Sequence, residues 1–259
     1  MDSLKFYKEI VKAIENSKEF VLAQIVDTQG STPGKVGFKM LVYKEGKVLG
    51  TLGGGEFEKK VIEESLALFP SKETAKTISI NLEELEMGCD GKIRVLLECH
   101  KAKKKLYIFG GGHVGKALVS LSAVLSIPTV IIDDRAKFAN KERFPHSEIL
   151  SGNPKKYART LDLKKDFVVI ATRSHEQDYE ILEEILRREL GDFPSYVGMI
   201  GSRTKVKKFF DELKKKIDKE KISRVHAPIG LEIGSETAEE IALSILAEII
   251  KERSKRKQN

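Results

Sequence analysis

Residues 106–115 read LYIFGGGHVG, four apolar residues that run directly into a glycine-rich loop. Gly110, Gly112 and Gly115 have the spacing G-x-G-x-x-G, which is typical of a dinucleotide-binding loop when a strand precedes it and a helix follows. The first glycine permits a tight turn, the second lets a phosphate approach the backbone, and the third lets the helix pack on the strand. This stretch therefore predicts the opening strand, loop and helix of a Rossmann-like domain.

Two charged residues follow the next predicted strand, at the position where a Rossmann-like domain contacts the ribose of a dinucleotide. Asp133 follows the predicted strand 129–132, where its carboxylate could accept a hydrogen bond from a ribose hydroxyl. Arg135 could instead meet a ribose 2′-phosphate, so the choice between NAD and NADP stays open. We therefore predict a ligand site formed by these two residues and the whole loop: Gly110, Gly111, Gly112, His113, Val114, Gly115, Asp133 and Arg135. A doubly wound fold whose loop binds nothing is the alternative.

The rest of the second half alternates strands with helices. Further strands are predicted at 167–171 and 196–200, each followed by a helix, and Thr237 with Glu240 forms a capping box before a last helix at 238–251. Such alternation predicts a doubly wound parallel sheet with right-handed crossovers. The fold class is thus α/β, a C-terminal Rossmann-like domain with a smaller N-terminal α+β domain.

Two more loops follow predicted strands and would lie at the carboxyl edge of the same sheet, where ligands of open α/β sheets bind. In one loop Gly201, Ser202 and Arg203 offer backbone N–H groups, a hydroxyl and a guanidinium to a phosphate, or form a turn with a capping serine. In the other, His175 is either an acid–base group or an exposed loop histidine.

The first hundred residues predict an α+β domain. An apolar face at helical spacing, formed by Leu4, Tyr7, Ile10, Val11 and Ile14, predicts an N-terminal helix. Strands are predicted at 20–26, 39–43, 47–51, 78–81 and 93–99, and a helix at 56–68. Gly54 and Gly55 precede that helix and offer backbone N–H groups to an anion, or form an ordinary turn. The charged segment 101–105 is interpreted as a linker between domains 1–100 and 106–259.

Cys89 is the main candidate for chemistry in the first domain. It lies between Gly88 and Asp90, in a segment where an accessible thiolate could act as a nucleophile, a soft metal ligand or a sulfur carrier. An inert thiol in a turn is the alternative. Cys99 ends an apolar strand and is expected in the core.

Composition excludes several classes of protein. Of the 259 residues, 41% are hydrophobic and 33% charged, which argues for packed cores and against a disordered chain. No apolar run reaches bilayer length and the N-terminus does not resemble a signal peptide, so we expect a cytoplasmic protein with no membrane partner. Two cysteines cannot form a disulfide framework. The net charge of +7 is spread over many lysines, which indicates a solvated surface and not a nucleic-acid site.

Taken together, seven segments make the chain resemble the XdhC/CoxI family, whose members are accessory proteins of molybdenum hydroxylases. The resemblance covers nearly the whole chain. Its segments are GSTP (30–33), GTLGGGEFEKKV (50–61), MGCDG (87–91), FGGGHVGKAL (109–118), DDRAKFANKERFP (133–145), GMIGSR (198–203) and HAPIGLEIGSETAEEIALSILAEI (226–249). The chain departs from the family pattern at Glu56, where members often have a cysteine, and at Asp90, where they often have a glycine.

The resemblance implies a chaperone that binds molybdenum cofactor, supports its sulfuration together with a cysteine desulfurase, and delivers it to an apo molybdenum hydroxylase such as xanthine dehydrogenase. It implies that Cys89 meets molybdenum or sulfur and that the glycine loops hold phosphate, in a cleft that we expect between the two domains. A homodimer is compatible with this role. The chain itself lacks the cysteine-rich iron–sulfur spacing of a hydroxylase. The alternatives are an NAD(P)-dependent oxidoreductase, with His175 or His113 as proton donor, and a dinucleotide-binding sensor.

Overall fold

A computed structural model describes residues 2–85 and 90–258 of the chain. The chain divides into two compact units, residues 1–103 and 104–259. The first unit contains an antiparallel sheet and the second a parallel one, which confirms the predicted fold class.

The first unit is built on a five-stranded sheet in the order β3-β2-β1-β5-β4, and every neighbouring pair in it is antiparallel. Its described elements are α1 (Ser3–Glu15), β1 (Phe20–Gln29), β2 (Lys39–Tyr43), β3 (Val48–Gly50), α2 (Gly55–Leu68), β4 (Ala75–Asn81), a 3-10 turn (Glu83–Leu85) and β5 (Lys92–His100). Alternate residues of β1 point to opposite faces of the sheet. Val21 therefore packs in one cluster with Phe57 of α2, and Phe20 in another with Phe6 of α1.

Helix α1 does not bury the face that its apolar periodicity predicted. Leu4, Tyr7, Val11 and Ile14 are 51–61% exposed, although they belong to the predicted stripe. Phe6 and Ala13 are buried instead and lie seven residues apart on another side of the helix. The helix carries two apolar stripes, and the one that contains Phe6 packs on the sheet.

The second unit is built on a six-stranded parallel sheet in the order β8-β7-β6-β9-β10-β11. Its described elements are β6 (Leu106–Phe109), α3 (His113–Val124), β7 (Thr129–Asp133), β8 (Glu148–Ser151), α4 (Pro154–Thr160), β9 (Phe167–Ile170), α5 (His175–Leu186), a 3-10 turn (Leu190–Asp192), β10 (Tyr196–Met199), α6 (Arg203–Leu213), α7 (Lys219–Ser223), β11 (Val225–His226) and α8 (Ala238–Gln258). Numbered within this unit, the order is 3-2-1-4-5-6, which is that of dinucleotide-binding Rossmann folds.

The strands of this sheet are buried on both faces, as expected for a parallel sheet covered by helices. Leu106 and Ile108 pack with Leu118 of α3 and Leu246 of α8. Tyr107, together with Phe109, packs with residues of α4 and α5 on the opposite face. The helices thus lie on both sides of the sheet, which confirms the doubly wound arrangement.

The sequence did not predict β8, α4, α7 or β11. These elements are two to seven residues long, too short for a hydrophobic period to show. The capping box before α8 is confirmed, because the Glu240 amide donates to Thr237 Oγ1 at 3.2 Å and the Thr237 amide donates to Glu240 Oε2 at 3.0 Å. No helix in the described part of the chain combines the length and the apolarity that a membrane span requires.

Candidate functional site

The glycine loop after β6 is folded tightly against its neighbours. Gly110 has φ of +121°, and a Cβ there would lie 2.1 Å from the carbonyl oxygen of Ala171. A Cβ at Gly115 would lie 2.1 Å from the carbonyl oxygen of Gly110, so the start of α3 lies directly against the loop. Both positions require glycine for packing, which is the structural role that the motif predicts.

Gly112 differs from these two glycines because the space around it is open. A Cβ there would meet nothing within 4 Å, although the residue is the N-cap of α3. Within residues 2–85 and 90–258 no side chain caps this helix end, and the first turn of α3 contains no acidic residue. His113 is exposed and Val114 is half-buried. The N-terminal N–H groups and the partial positive charge of α3 can therefore accept an anion at this position.

Asp133 at the end of β7 is buried, and its carboxylate is held by the protein's own groups. Oδ2 accepts from the Gly111 amide at 2.9 Å and from Arg135 Nη2 at 2.9 Å. Oδ1 accepts from the amide and the Nε of Arg135, at 3.0 and 2.9 Å. Burial alone would raise the pKa of Asp133, but these hydrogen bonds outweigh it and lower the pKa. The structure thus brings Asp133 and Arg135 to the glycine loop as a pair, in which both carboxylate oxygens of Asp133 already accept hydrogen bonds from the protein.

The loop after β9 lies at the same edge of the sheet, beside Gly110. Asp178 is buried there, and its Oδ1 accepts from the amide and the hydroxyl of Thr172 at 2.9 and 2.7 Å. Burial raises the pKa of Asp178. His175 is half exposed, and its Nδ1 lies 3.8 Å from Asp178 Oδ2, which is too far for a hydrogen bond. The structure therefore shows Asp178 as an anchor of its own loop, a role that sequence reasoning missed.

The loop after β10 forms one wall of a cavity of about 480 Å³. Gly201 and Arg203 line it from this loop, and the segment 228–235 forms the opposite wall. Arg203 is ion-paired with Glu232, and both side chains are largely exposed. Ser202 is the N-cap of α6, but its side chain makes no capping hydrogen bond. The loop lies two strands from β6, about 10 Å along the sheet edge.

A network around Glu248 holds the segment that begins at His226. Glu248 of α8 accepts from Tyr196 Oη at 2.5 Å and from the Gly230 amide at 2.9 Å, and His226 Nδ1 lies 3.1 Å from its Oε1. Burial opposes the charge, but these partners outweigh it and lower the pKa of Glu248 to about 2. Sequence reasoning missed this network because its members are far apart in the chain and show no local pattern.

In the first unit, three of the resembling segments come together. The Ser31 amide lies 3.4 Å from Asp90 Oδ1. A Cβ at Gly53 would lie 2.8 Å from the Pro33 carbonyl, and one at Gly91 would lie 2.3 Å from the Ser31 carbonyl oxygen. The loops at 30–33, at 50–55 and at 90–91 are therefore neighbours.

The glycine loop of this unit is closed by a carboxylate of its own. Glu58 of α2 reaches back, and its Oε2 accepts from Thr51 Oγ1 at 2.6 Å, the Leu52 amide at 2.8 Å and the Gly54 amide at 3.1 Å. Burial alone would raise the pKa of Glu58, but these bonds outweigh it and lower the pKa. The Gly54 amide, one of the N–H groups predicted to hold an anion, thus donates to the protein's own carboxylate, and the role predicted for Gly55 stays a prediction.

Cys89 lies outside the described residues, so its predicted role stays a prediction. Cys99 is buried, which confirms its predicted place in the core, and burial raises the pKa of its thiol. Within residues 2–85 and 90–258, no three His, Cys, Asp or Glu side chains are grouped as a metal site.

Comparison with known families gives two matches. Residues 106–249 match the family described as the XdhC Rossmann domain, and residues 13–81 match the family described as XdhC and CoxI. An uncharacterized protein of Escherichia coli strain K12, YqeB, is 35% identical over 255 residues, which cover 95% of this chain and 46% of the relative. The chain therefore spans less than half the length of that relative.

Two further comparisons cover nearly the full length of both this chain and the protein compared with it. A protein of Bacillus subtilis strain 168, named as a probable subunit of xanthine dehydrogenase, is 23% identical over 334 residues, covering 96% of this chain and 98% of the relative. A crystal structure described as a xanthine dehydrogenase from Bacillus halodurans has a TM-score of 0.54 at 23% identity and covers 96% of both chains. That structure shares the fold of this chain.

Proposed function

The chain belongs to the XdhC and CoxI family, and from that premise we propose that it takes part in the maturation of a molybdenum hydroxylase such as xanthine dehydrogenase. In this role it binds molybdenum cofactor, keeps it accessible to a cysteine desulfurase for sulfuration, and delivers it to the apo-hydroxylase. The name of the Bacillus subtilis relative supports this class of client.

The observation that carries the proposal is the open N-terminus of α3. Molybdenum cofactor ends in a phosphate, and the residues around Gly112 fit such a group. Among the residues that the structure describes, no side chain caps the helix, its first turn contains no acidic residue, and a Cβ at Gly112 would meet nothing within 4 Å. Backbone N–H groups of this helix end would hold the phosphate. When bound, the cofactor supplies a metal held by a pterin dithiolene. The thiol of Cys89 is the proposed contact for metal or sulfur.

The pairing of Asp133 with Arg135 supports this ligand over NAD. In a dinucleotide-binding Rossmann domain the acidic residue at this strand end accepts hydrogen bonds from the ribose. Here each oxygen of Asp133 already accepts from Arg135, and one of them also accepts from the Gly111 amide. A ribose hydroxyl would have to displace a buried, charge-assisted pair.

The test is the ligand content of purified protein. The full chain is co-expressed with the genes for molybdenum-cofactor synthesis, and released small molecules are identified by pterin fluorescence and mass spectrometry. Gly112→Asp places a carboxylate at an N-cap, where aspartate is favoured, so the fold is retained while a phosphate is repelled. Gly112→Ala is the matched control, because it adds a Cβ without charge. We expect pterin in the wild type and in Gly112→Ala and its loss in Gly112→Asp.

Two further results decide between ligands and roles. Cys89→Ser is expected to retain the pterin and its phosphate while losing molybdenum or sulfur from the bound species. A nicotinamide dinucleotide without pterin, in wild type and both Gly112 variants, would contradict the proposal and favour an oxidoreductase or a sensor.

A further inference from the structure

A cavity of about 390 Å³ lies in the second unit between α3 and the segment after β7. Every residue that lines it is polar or charged: Lys116, Lys137, Asn140, Glu142 and Arg143. Three cations therefore surround the cavity and one carboxylate opposes them. Such a lining does not suit a flat aromatic ring, which needs apolar walls. It suits a small hydrated anion.

Arg143 is held in place from two sides. Its Nε donates to the Gly111 carbonyl oxygen at 3.2 Å, which joins the cavity to the glycine loop. Its guanidinium carbon lies 5.5 Å from the ring centroids of both Phe138 and Phe144. Only one of its five N–H groups has a protein acceptor in the part of the chain that the structure describes. A guanidinium fixed in this way can bind an oxyanion with little further loss of side-chain freedom.

Lys116 and Lys137 add positive charge to the cavity, and within the described residues neither forms an ion pair. Both are exposed, and within the described residues neither ammonium group has a hydrogen-bond acceptor or an acidic partner. The carboxylate of Asp133 is already paired with Arg135, and among the described residues that line the cavity Glu142 is the acidic one. Clustered cations without carboxylate partners around a concave surface attract anions more strongly than isolated surface lysines do.

We propose that this cavity, the Lys116–Arg143 subsite, binds a phosphate group of the ligand other than the phosphate at the α3 N-terminus. The inference rests on the proposed function, because it assigns a second phosphate to the ligand that the α3 N-terminus is proposed to bind. The ligand class is then a cofactor extended by a nucleotide through a pyrophosphate, rather than one that carries a single phosphate. A phosphorylated dinucleotide such as NADP shares this chemistry and is the competing source.

The subsite is tested by titrating the full chain with inorganic pyrophosphate in a calorimeter at low ionic strength. We expect Lys116→Gln combined with Lys137→Gln to weaken binding about tenfold, because two charge-assisted contacts are lost. Glu142→Gln is expected to tighten binding, an effect that damage to the fold would not produce. Lys156→Gln removes the same charge from α4, across the sheet, and is expected to bind as the wild type does.

Three results would overturn the inference: no binding to the wild type, equal binding by the double lysine variant, or an equal loss in Lys156→Gln. The molecule that carries the second phosphate is identified from the ligand that co-purifies with the protein after co-expression. The double lysine variant is expected to lose a pterin dinucleotide that the wild type retains. If NADP is retained instead, the subsite stands and the proposed function fails. A retained pterin with a single phosphate, unaffected by the lysine changes, would overturn the inference and leave the proposed function intact.

Discussion

The two glycine-rich loops of this chain look alike in sequence and differ in what their N–H groups face. Each precedes a helix, α2 in the first unit and α3 in the second. In the first loop Glu58 lies four residues after Gly54, and its Oε2 accepts a hydrogen bond from the Gly54 amide at 3.1 Å. In the second loop the residue four positions after Gly112 is Lys116, and the first turn of α3 contains no acidic residue, whereas that of α2 contains Glu56 and Glu58.

The difference teaches that glycine before a helix is not sufficient to define an anion site. Glycine lets the backbone expose its N–H groups, but a carboxylate one turn later can accept hydrogen bonds from those groups. The identity of the residue one turn into the helix therefore decides whether an external anion is needed. By this criterion the first turn of α3 favours an external anion, and that of α2, which contains Glu56 and Glu58, disfavours one.

The largest effect is expected within the second loop itself. Gly110→Ala forces a side chain into φ of +121° and places its Cβ 2.1 Å from the Ala171 carbonyl oxygen. Strain and overpacking together should lower the free energy of unfolding of the second unit by about 3 kcal/mol or more. Urea unfolding followed by circular dichroism measures this. Gly112→Ala is the matched control and should change stability by less than about 1 kcal/mol. Equal losses in the two variants would contradict the assignment of their roles.

A smaller effect is expected when the first loop is opened. Glu58→Ala removes the acceptor of the Leu52 and Gly54 amides and should lower the free energy of unfolding by about 1–3 kcal/mol. Glu56→Ala on the same helix removes only an exposed pair with Lys59 and should cost less than about 1 kcal/mol. The unfolding midpoint in urea is the readout. Added phosphate should then stabilise Glu58→Ala more than the wild type, because the Leu52 and Gly54 amides have lost their acceptor. An identical response of the two proteins would contradict the proposed difference between the two loops.

The smallest effect is the dependence of the first loop on pH. Because hydrogen bonds hold the pKa of Glu58 below its ordinary value near 4.5, its stabilisation is complete above that value. It is lost as the pH falls through the lowered pKa of the folded state. The difference in stability between wild type and Glu58→Gln should therefore shrink below about pH 4. Unfolding curves at pH 7 and at pH 3 to 4 measure it. A difference that grows on acidification would show that Glu58 is not ionised in the folded protein.

Much of the second unit follows from local pattern. The strand at 106–109, the glycine spacing and the capping box of Thr237 and Glu240 act over a few residues, and each is found in the structure. The burial of α1 could not be predicted in this way, because two apolar stripes compete and only the sheet beneath decides between them. Phe6 packs there with Phe20 and Leu41.

The candidate site shows the same limit. An acidic residue at the end of β7 is predictable from spacing, and Asp133 lies there. That its oxygens face Arg135 and the Gly111 amide depends on how the chain turns after the strand, which no local pattern specifies. The same holds for Arg143, which reaches Gly111 across 32 residues of sequence.

The packing of α3 against α8 has a consequence for how the chain is made. Ala117 and Leu118 of α3 are buried in one cluster with Ala242, Ile245 and Leu246 of α8. The ribosome produces α8 roughly 125 residues after α3, which at typical rates of synthesis is a delay of roughly 6 to 25 s. During that interval the part of α3 that α8 covers in the folded protein lacks that cover. Nascent chains that stop before residue 238 should therefore be substrates for holding chaperones, whereas completed chains should not.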